Sequence, residues 1–203
     1  MSPSRLLAST AAAVLVIGLA ACGPAESEEP VTKPTASAVP EPVETPTAEP
    51  EVFTMPADCT AILPPERVTA LTEQNLALLG GPGSLYGDDY SQGDTPEQLA
   101  GGISCVWAEE GGDFSSLQIS VAPLSTSTRG AIISELSTQG LNEVVLEDGS
   151  LTYGVVGDNA NAPAQYNLLT DEAWVSVINA FGGDAFFDEA VVLANEVRGH
   201  TTN

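Results

Sequence analysis

The chain has 203 residues, 28 of them acidic and five basic, for a formal charge of −23. Beyond residue 55 only Arg67, Arg129 and Arg198 stand against 21 of those acids, a net charge of −18. Three arginines cannot assemble the basic patch that neutralises phosphates, which excludes recognition of nucleic acid or of an anionic lipid surface.

Met1 to Ala21 carries Arg5 as its one charged side chain, followed by an apolar run through Leu6, Leu7, Val14, Leu15, Val16, Ile17 and Leu19. At about 15 residues the run falls short of the roughly 20 that span a bilayer, so it predicts a signal-peptide core over 1–21. Leu19-Ala20-Ala21-Cys22 closes the run and resembles the lipobox of bacterial lipoproteins. That resemblance implies a diacylglyceryl group on the Cys22 thiol and cleavage just before it; the rival reading is secretion with an incidental cysteine. Each buried methylene contributes about 0.8 kcal/mol, so two or more acyl chains hold a protein on a membrane that it does not span.

Gly23 to Met55 holds seven prolines in 33 residues, interspersed with Glu, Thr, Ala and Ser. Too little apolar surface is available to offset ordering entropy, and the prolines favour extended geometry. Residues 22–55 are therefore expected to be a lipidated cysteine and a disordered stalk, reaching about 100 Å if extended at roughly 3.1 Å per residue. A ligand for a proline-binding module is the alternative.

From Pro56 the composition becomes that of a packed domain, 56–203. Pro64-Pro65-Glu66 marks a helix start, Val68 and Leu71 share a face, and Asn75 offers a left-handed stop. Gly80 to Gly102, rich in Gly, Asp and Pro, reads as a long loop. Ile103 to Trp107 and Leu117 to Val121 alternate at period two around Glu110-Gly111-Gly112-Asp113, a hairpin pattern that points Cys105 and Trp107 the same way.

A helix over 128–139 carries Ile132, Ile133 and Leu136 as its stripe, with Gly140 and Leu141 as its ending. Strands around 143–146 and 151–156 flank Asp148-Gly149, and strands over 164–169 and 173–181 flank Asp171-Glu172. The last helix is expected to be capped by Asp184, to present Phe187, Ala190, Val191, Ala194 and Val197, and to stop at Gly199. Short turns join only antiparallel strands. The expected class is therefore α+β, with one mainly antiparallel sheet of about five to six strands and about three helices packed on one face.

With Cys22 lipidated, Cys59 and Cys105 remain as an even pair in an oxidising compartment, so one disulfide is expected. A loop of about 46 residues closed in this way gains about 4 kcal/mol on chain-entropy grounds. No C-x-x-C pair or neighbouring histidine suggests a metal-binding role instead.

The lipobox, the Pro/Thr/Glu stalk, Asp58-Cys59 before a proline-led helix, and Ser104-Cys105-Val106-Trp107 opening a strand together resemble a family of actinobacterial cell-envelope lipoproteins of unknown function. The resemblance implies a Cys59–Cys105 bridge beside Trp107 and supplies no catalytic residue.

The one histidine, His200, follows Gly199 near the chain end, where it reads as a solvated tail residue and not a catalytic base. No nucleophile elbow, zinc-binding helix or phosphate loop is present. Glu109-Glu110, Glu147-Asp148 and Asp171-Glu172 are paired acids, but on turns, where neither partner is desolvated enough for acid catalysis. The loop from Asp88 to Glu97 offers oxygens to calcium without EF-hand spacing and reads as a solvated acidic loop. Trp107 and Trp174 are candidates for lining a pocket with Tyr86, Tyr90, Tyr153 and Tyr166, or else for filling the core.

No catalytic residue, metal ligand or cofactor is assigned. The expected function is a non-catalytic module, lipid-anchored at the extracytoplasmic face of the cell membrane. It would bind a small ligand, a wall component or another envelope protein. The alternatives are an envelope hydrolase using carboxylates of the loop from Gly80 to Gly102, whose sign would be several acids converging in one pocket, and a purely structural protein without a cavity.

Overall fold

Pro65, at the first position of helix α1 (Pro65–Glu73), lacks the N–H that a helix start leaves unpaired, and Asn75 ends the turn at φ 62°, a left-handed value that its short polar side chain tolerates. These features belong to a computed structural model that describes residues 52–112, 116–159 and 161–203. Cys22 and the signal-peptide segment lie outside the described residues, as does the linker up to residue 51.

Strand β1 (Ala77–Gly80) follows, then the short helix α2 (Pro96–Leu99), on which Thr95 and Gln98 cap each other reciprocally. Strands β2 (Ile103–Ala108) and β3 (Leu117–Pro123) form the expected hairpin, with Cys105 opposite Ile119 and Trp107 opposite Leu117. Helix α3 (Thr126–Thr138) starts on a second capping box, made by Ser125 and Thr128. Strands β4 (Asn142–Val145), β5 (Leu151–Val155), β6 (Ala164–Leu169) and β7 (Ala173–Asn179) lead to helix α4 (Asp184–Thr201).

The described strands form one antiparallel sheet in the order β1-β2-β3-β7-β6-β5-β4. Two meanders, β1 to β3 and β4 to β7, thus run inward from opposite edges and join where β3 pairs with β7. The chain must cross four inter-strand gaps between β3 and β4, about 19 Å at roughly 4.8 Å each. The 13 residues of α3 rise by about 20 Å at 1.5 Å per residue, the length of that crossing.

Neighbouring residues of a strand point to opposite faces, and here they feed two cores. Cys105, Trp107, Ile119, Val121, Leu168, Val175 and Val177 pack with Leu71 of α1 and with Ala190, Leu193, Ala194 and Val197 of α4. Ala122, Tyr153, Leu169 and Trp174 pack with Ile132 and Leu136 of α3.

The helices are therefore not gathered on one face, because the α3 crossing occupies the side opposite α4. The sheet also has seven strands, more than the five to six expected. The additional strand, β1, precedes a stretch read as loop, within which residues 87–90 form a 3-10 turn and 96–99 form α2. The count of four helices among the described residues includes this short α2.

Cys59 and Cys105 are bridged, their Cα atoms 5.5 Å apart and neither side chain exposed. Trp107 lies in the same cluster, 1% exposed. Gly81 holds the next loop against this bridge. At φ 99° it occupies a region that suits glycine, and a Cβ there would lie 2.2 Å from the Ser104 carbonyl oxygen and 2.6 Å from Cys59 Sγ.

Two terminal expectations are corrected. Gly183 is the cap residue of α4 and Asp184 its first residue, and the helix continues through Gly199 to Thr201. Thr201 is buried and Thr202 bridges Phe53, while Thr54 N–H donates to the Thr201 carbonyl at 2.7 Å. Residues 52–55, assigned to the linker on composition, thus pair with the chain end, and Phe53 and Met55 pack against the core. No described helix is long and apolar enough to cross a membrane.

Candidate functional site

The face under α3 carries an unbroken row of polar side chains. Across β2, β3, β7, β6, β5 and β4 the register aligns Ser104, Ser120, Ser176, Asn167, Tyr153 and Glu143 in turn. Alternating serines normally mark the solvated face of an antiparallel sheet. Here α2 and α3 cover them: Ser104, Ser120, Ser176 and Asn167 are all buried.

Burial requires partners, and the row supplies them. Ser104 Oγ lies 2.7 Å from Ser120 Oγ and 2.6 Å from Thr95 Oγ1 at the cap of α2. Trp174 Nε1 donates to Asn167 Oδ1 at 2.9 Å, Asn167 Nδ2 donates to the Tyr153 carbonyl at 3.3 Å, and the Tyr153 hydroxyl donates to Glu143. Among the described residues no buried side-chain nitrogen or oxygen lacks a partner.

Glu97 of α2 is held over this row. It is 5% exposed, which is exceptional for a carboxyl group. Burial raises its pKa above the ordinary 4.5, and the charge of Glu135 adds to that rise, while its own N–H, Ser176 and Thr95 act in the opposite sense by hydrogen bonding. Around it is a cavity of about 120 Å³ with Ser176, Asn167 and Trp174 as floor, Gln118, Gln165 and Ile178 on the sheet, and Glu135 of α3 and its C-cap residue Gln139 at the exposed side. None of the lining side chains is basic.

A larger concavity of about 410 Å³ lies elsewhere, lined by Asp148, Asp171, Glu172, Arg198, Phe53 and Thr202 among others. It gathers one or both members of two acid pairs from the turns, but Asp148 and Glu172 perform structural tasks. Arg198 Nη1 lies 2.7 Å from Asp148 Oδ2, and Glu172 Oε2 accepts from Phe53 N–H. The Ser150 backbone N–H, and then Arg198, hold Asp148 below the usual carboxylate range, the opposite of a group poised to donate a proton. The chemistry therefore favours the smaller cavity over the larger one.

The residues singled out from sequence are dispersed. Trp107 and Trp174 lie on opposite faces, Trp107 beside the disulfide and Trp174 in the cavity floor. Tyr153 joins the polar row, whereas Tyr166 packs edge-on against Phe187 of α4, centroids 5.8 Å apart. Tyr86 and Tyr90 stack on each other at 6.0 Å outside β1. The aromatic side chains thus share no common pocket.

His200 sits exposed in the last turn of α4, not in a fraying tail. Asp88 and Asp89 lie in the exposed 3-10 turn, and among the described residues no three His, Cys, Asp or Glu side chains gather as a metal site. Sequence reasoning took Glu97 only as the last residue of a solvated acidic loop, not as a buried carboxyl group. Its signal is the Thr95-Pro96-Glu97-Gln98 cap, which fixes a helical turn beside strands bearing serines at alternate positions. Comparison with protein-family models, with curated proteins and with solved structures gives no match in any of the three.

Proposed function

We propose that this chain is a binding module, tethered by a lipid on Cys22 to the extracytoplasmic face of a cell membrane, which takes a small polar ligand into the cavity beneath α3. The observation that carries this reading is Glu97: a carboxyl group 5% exposed, set in a polar cavity without a basic partner. Its burial is unfavourable unless another gain accompanies it, and a ligand that hydrogen-bonds to the same groups supplies one. The lipobox and the proline-rich linker support the tether, and membership of an actinobacterial lipoprotein family is proposed on the same residues.

An envelope hydrolase is the second reading, favoured because Glu97 and Glu135 border one cavity and Glu97 has a raised pKa. The volume weighs against it. About 120 Å³ is well below the roughly 300–1,000 Å³ of sites for larger organic ligands, and cannot enclose the two sugar rings flanking a scissile bond.

Thermal denaturation of the purified full chain with a panel of small polar compounds tests the binding role. A ligand at 100 times its Kd stabilises by about 2.7 kcal/mol, so at least one compound is expected to raise the Tm of the native chain but not that of Glu97→Gln. A panel that moves neither would contradict the reading. For the tether, Cys22→Ser should leave the membrane fraction and lose metabolic palmitate labelling; retention of either would overturn it.

A further inference from the structure

The class of ligand follows from the lining of the cavity, and this deepening rests on the binding role proposed above. Two carboxyl groups, Glu97 and Glu135, border the space, and no lysine, arginine or histidine does. An anionic ligand would meet the charge of Glu135 and no cation, and is excluded. Its own N–H, Ser176 and Thr95 favour the ionised form of Glu97 by hydrogen bonding, against the effect of burial. A carboxylate has about four lone-pair sites, so Glu97 can also accept from a ligand donor.

We propose that the cavity beneath α3 binds a small primary ammonium compound, its charged nitrogen against Glu97 and facing Glu135 at the exposed side.

Three features select this class over other cations. A primary ammonium has three donors arranged around one point, and Glu97, the Ser176 hydroxyl and the side-chain carbonyls of Gln118 and Gln165 are acceptors on the cavity wall. No side-chain hydrogen bond engages either glutamine elsewhere among the described residues, so both amides are available to a ligand. A guanidinium group spreads five donors over a rigid planar fork, whereas the acceptors here surround one small space of about 120 Å³. A quaternary ammonium needs an open aromatic face, whereas Trp174 is 3% exposed and its indole N–H is committed to Asn167. The volume of about 120 Å³ limits the compound to a few heavy atoms, or to the amino end of a longer one.

The test titrates the full chain with ethanolamine and with ethylene glycol, its uncharged counterpart of similar size, at constant ionic strength, following the indole N–H signals by NMR. Ethanolamine is expected to shift the Trp174 signal and to leave that of Trp107 in place. Ethylene glycol should bind at least about tenfold more weakly, because a hydrogen bond to a charged partner is worth more than a neutral one. Glu97→Gln should weaken ethanolamine by about tenfold or more. The surface variant Glu135→Gln, which leaves the buried network intact, should weaken it about two- to fivefold.

Equal affinity for the two probes, or no effect of either variant, would overturn the ammonium assignment while the binding role stood. If neither probe and no compound of the polar panel moved Trp174, both would fail.

Discussion

Glu97 and Asp148 are both carboxyl groups, yet their surroundings give them opposite pH behaviour. Burial keeps Glu97 protonated in the folded chain over a pH interval in which the unfolded chain has released that proton. Its contribution is therefore most favourable below the ordinary 4.5 and declines as pH rises through the folded value. Asp148, lowered by the Ser150 N–H and then by Arg198, stabilises at neutral pH, and that contribution fades as pH falls through its own folded value.

Glu97→Gln should accordingly match the native chain in stability at about pH 4 and exceed it at about pH 8. Urea unfolding at the two pH values checks this, and equal stability at both would contradict the burial of Glu97. Its importance was not legible in the sequence. An acid in a Gly- and Asp-rich stretch looks solvated, and only the return of α2 over Ser104 and Ser120 buries it. The cysteines were legible, because their pairing depends on count more than on neighbours.

Elements with strong local signals read correctly: the period-two hairpin of β2 and β3, the matched bounds of β6, and the left-handed ends at Asn75 and Gly140. Strand β1 did not, since Ala77-Leu78-Leu79-Gly80 has no alternation and directly follows a helix end. The side on which α3 crosses was equally hidden, because its length fits the crossing but does not select a face.

Gly199 shows how tertiary context overrides a local signal. It reads as a helix stop, yet α4 passes through it because Thr201 is buried and Thr202 is pinned to Phe53. A Cβ at Gly199 would meet nothing within 4 Å. Gly199→Ala should thus stabilise the fold by about 0.5–1 kcal/mol, measured by chemical denaturation; a loss of stability would mean that the helix ends where the sequence suggested.

At the scale of the whole molecule, the N-terminal end of the described domain is joined to its C-terminal end. Val52 exchanges backbone hydrogen bonds with Asn203. The disulfide lies elsewhere, tying residues before α1 to β2. Replacing both Cys59 and Cys105 by serine should cost about 4 kcal/mol on chain-entropy grounds, and an unchanged unfolding midpoint would contradict that constraint.

The two tryptophans provide the most direct measurement, because they report separately on the two faces of the sheet. In an NMR titration of the full chain with mixtures of small polar metabolites, the indole signal of Trp174 should move saturably. That of Trp107, enclosed beside the disulfide, should remain fixed. A stationary Trp174 signal across the mixtures, or equal movement of both, would contradict a binding site beneath α3.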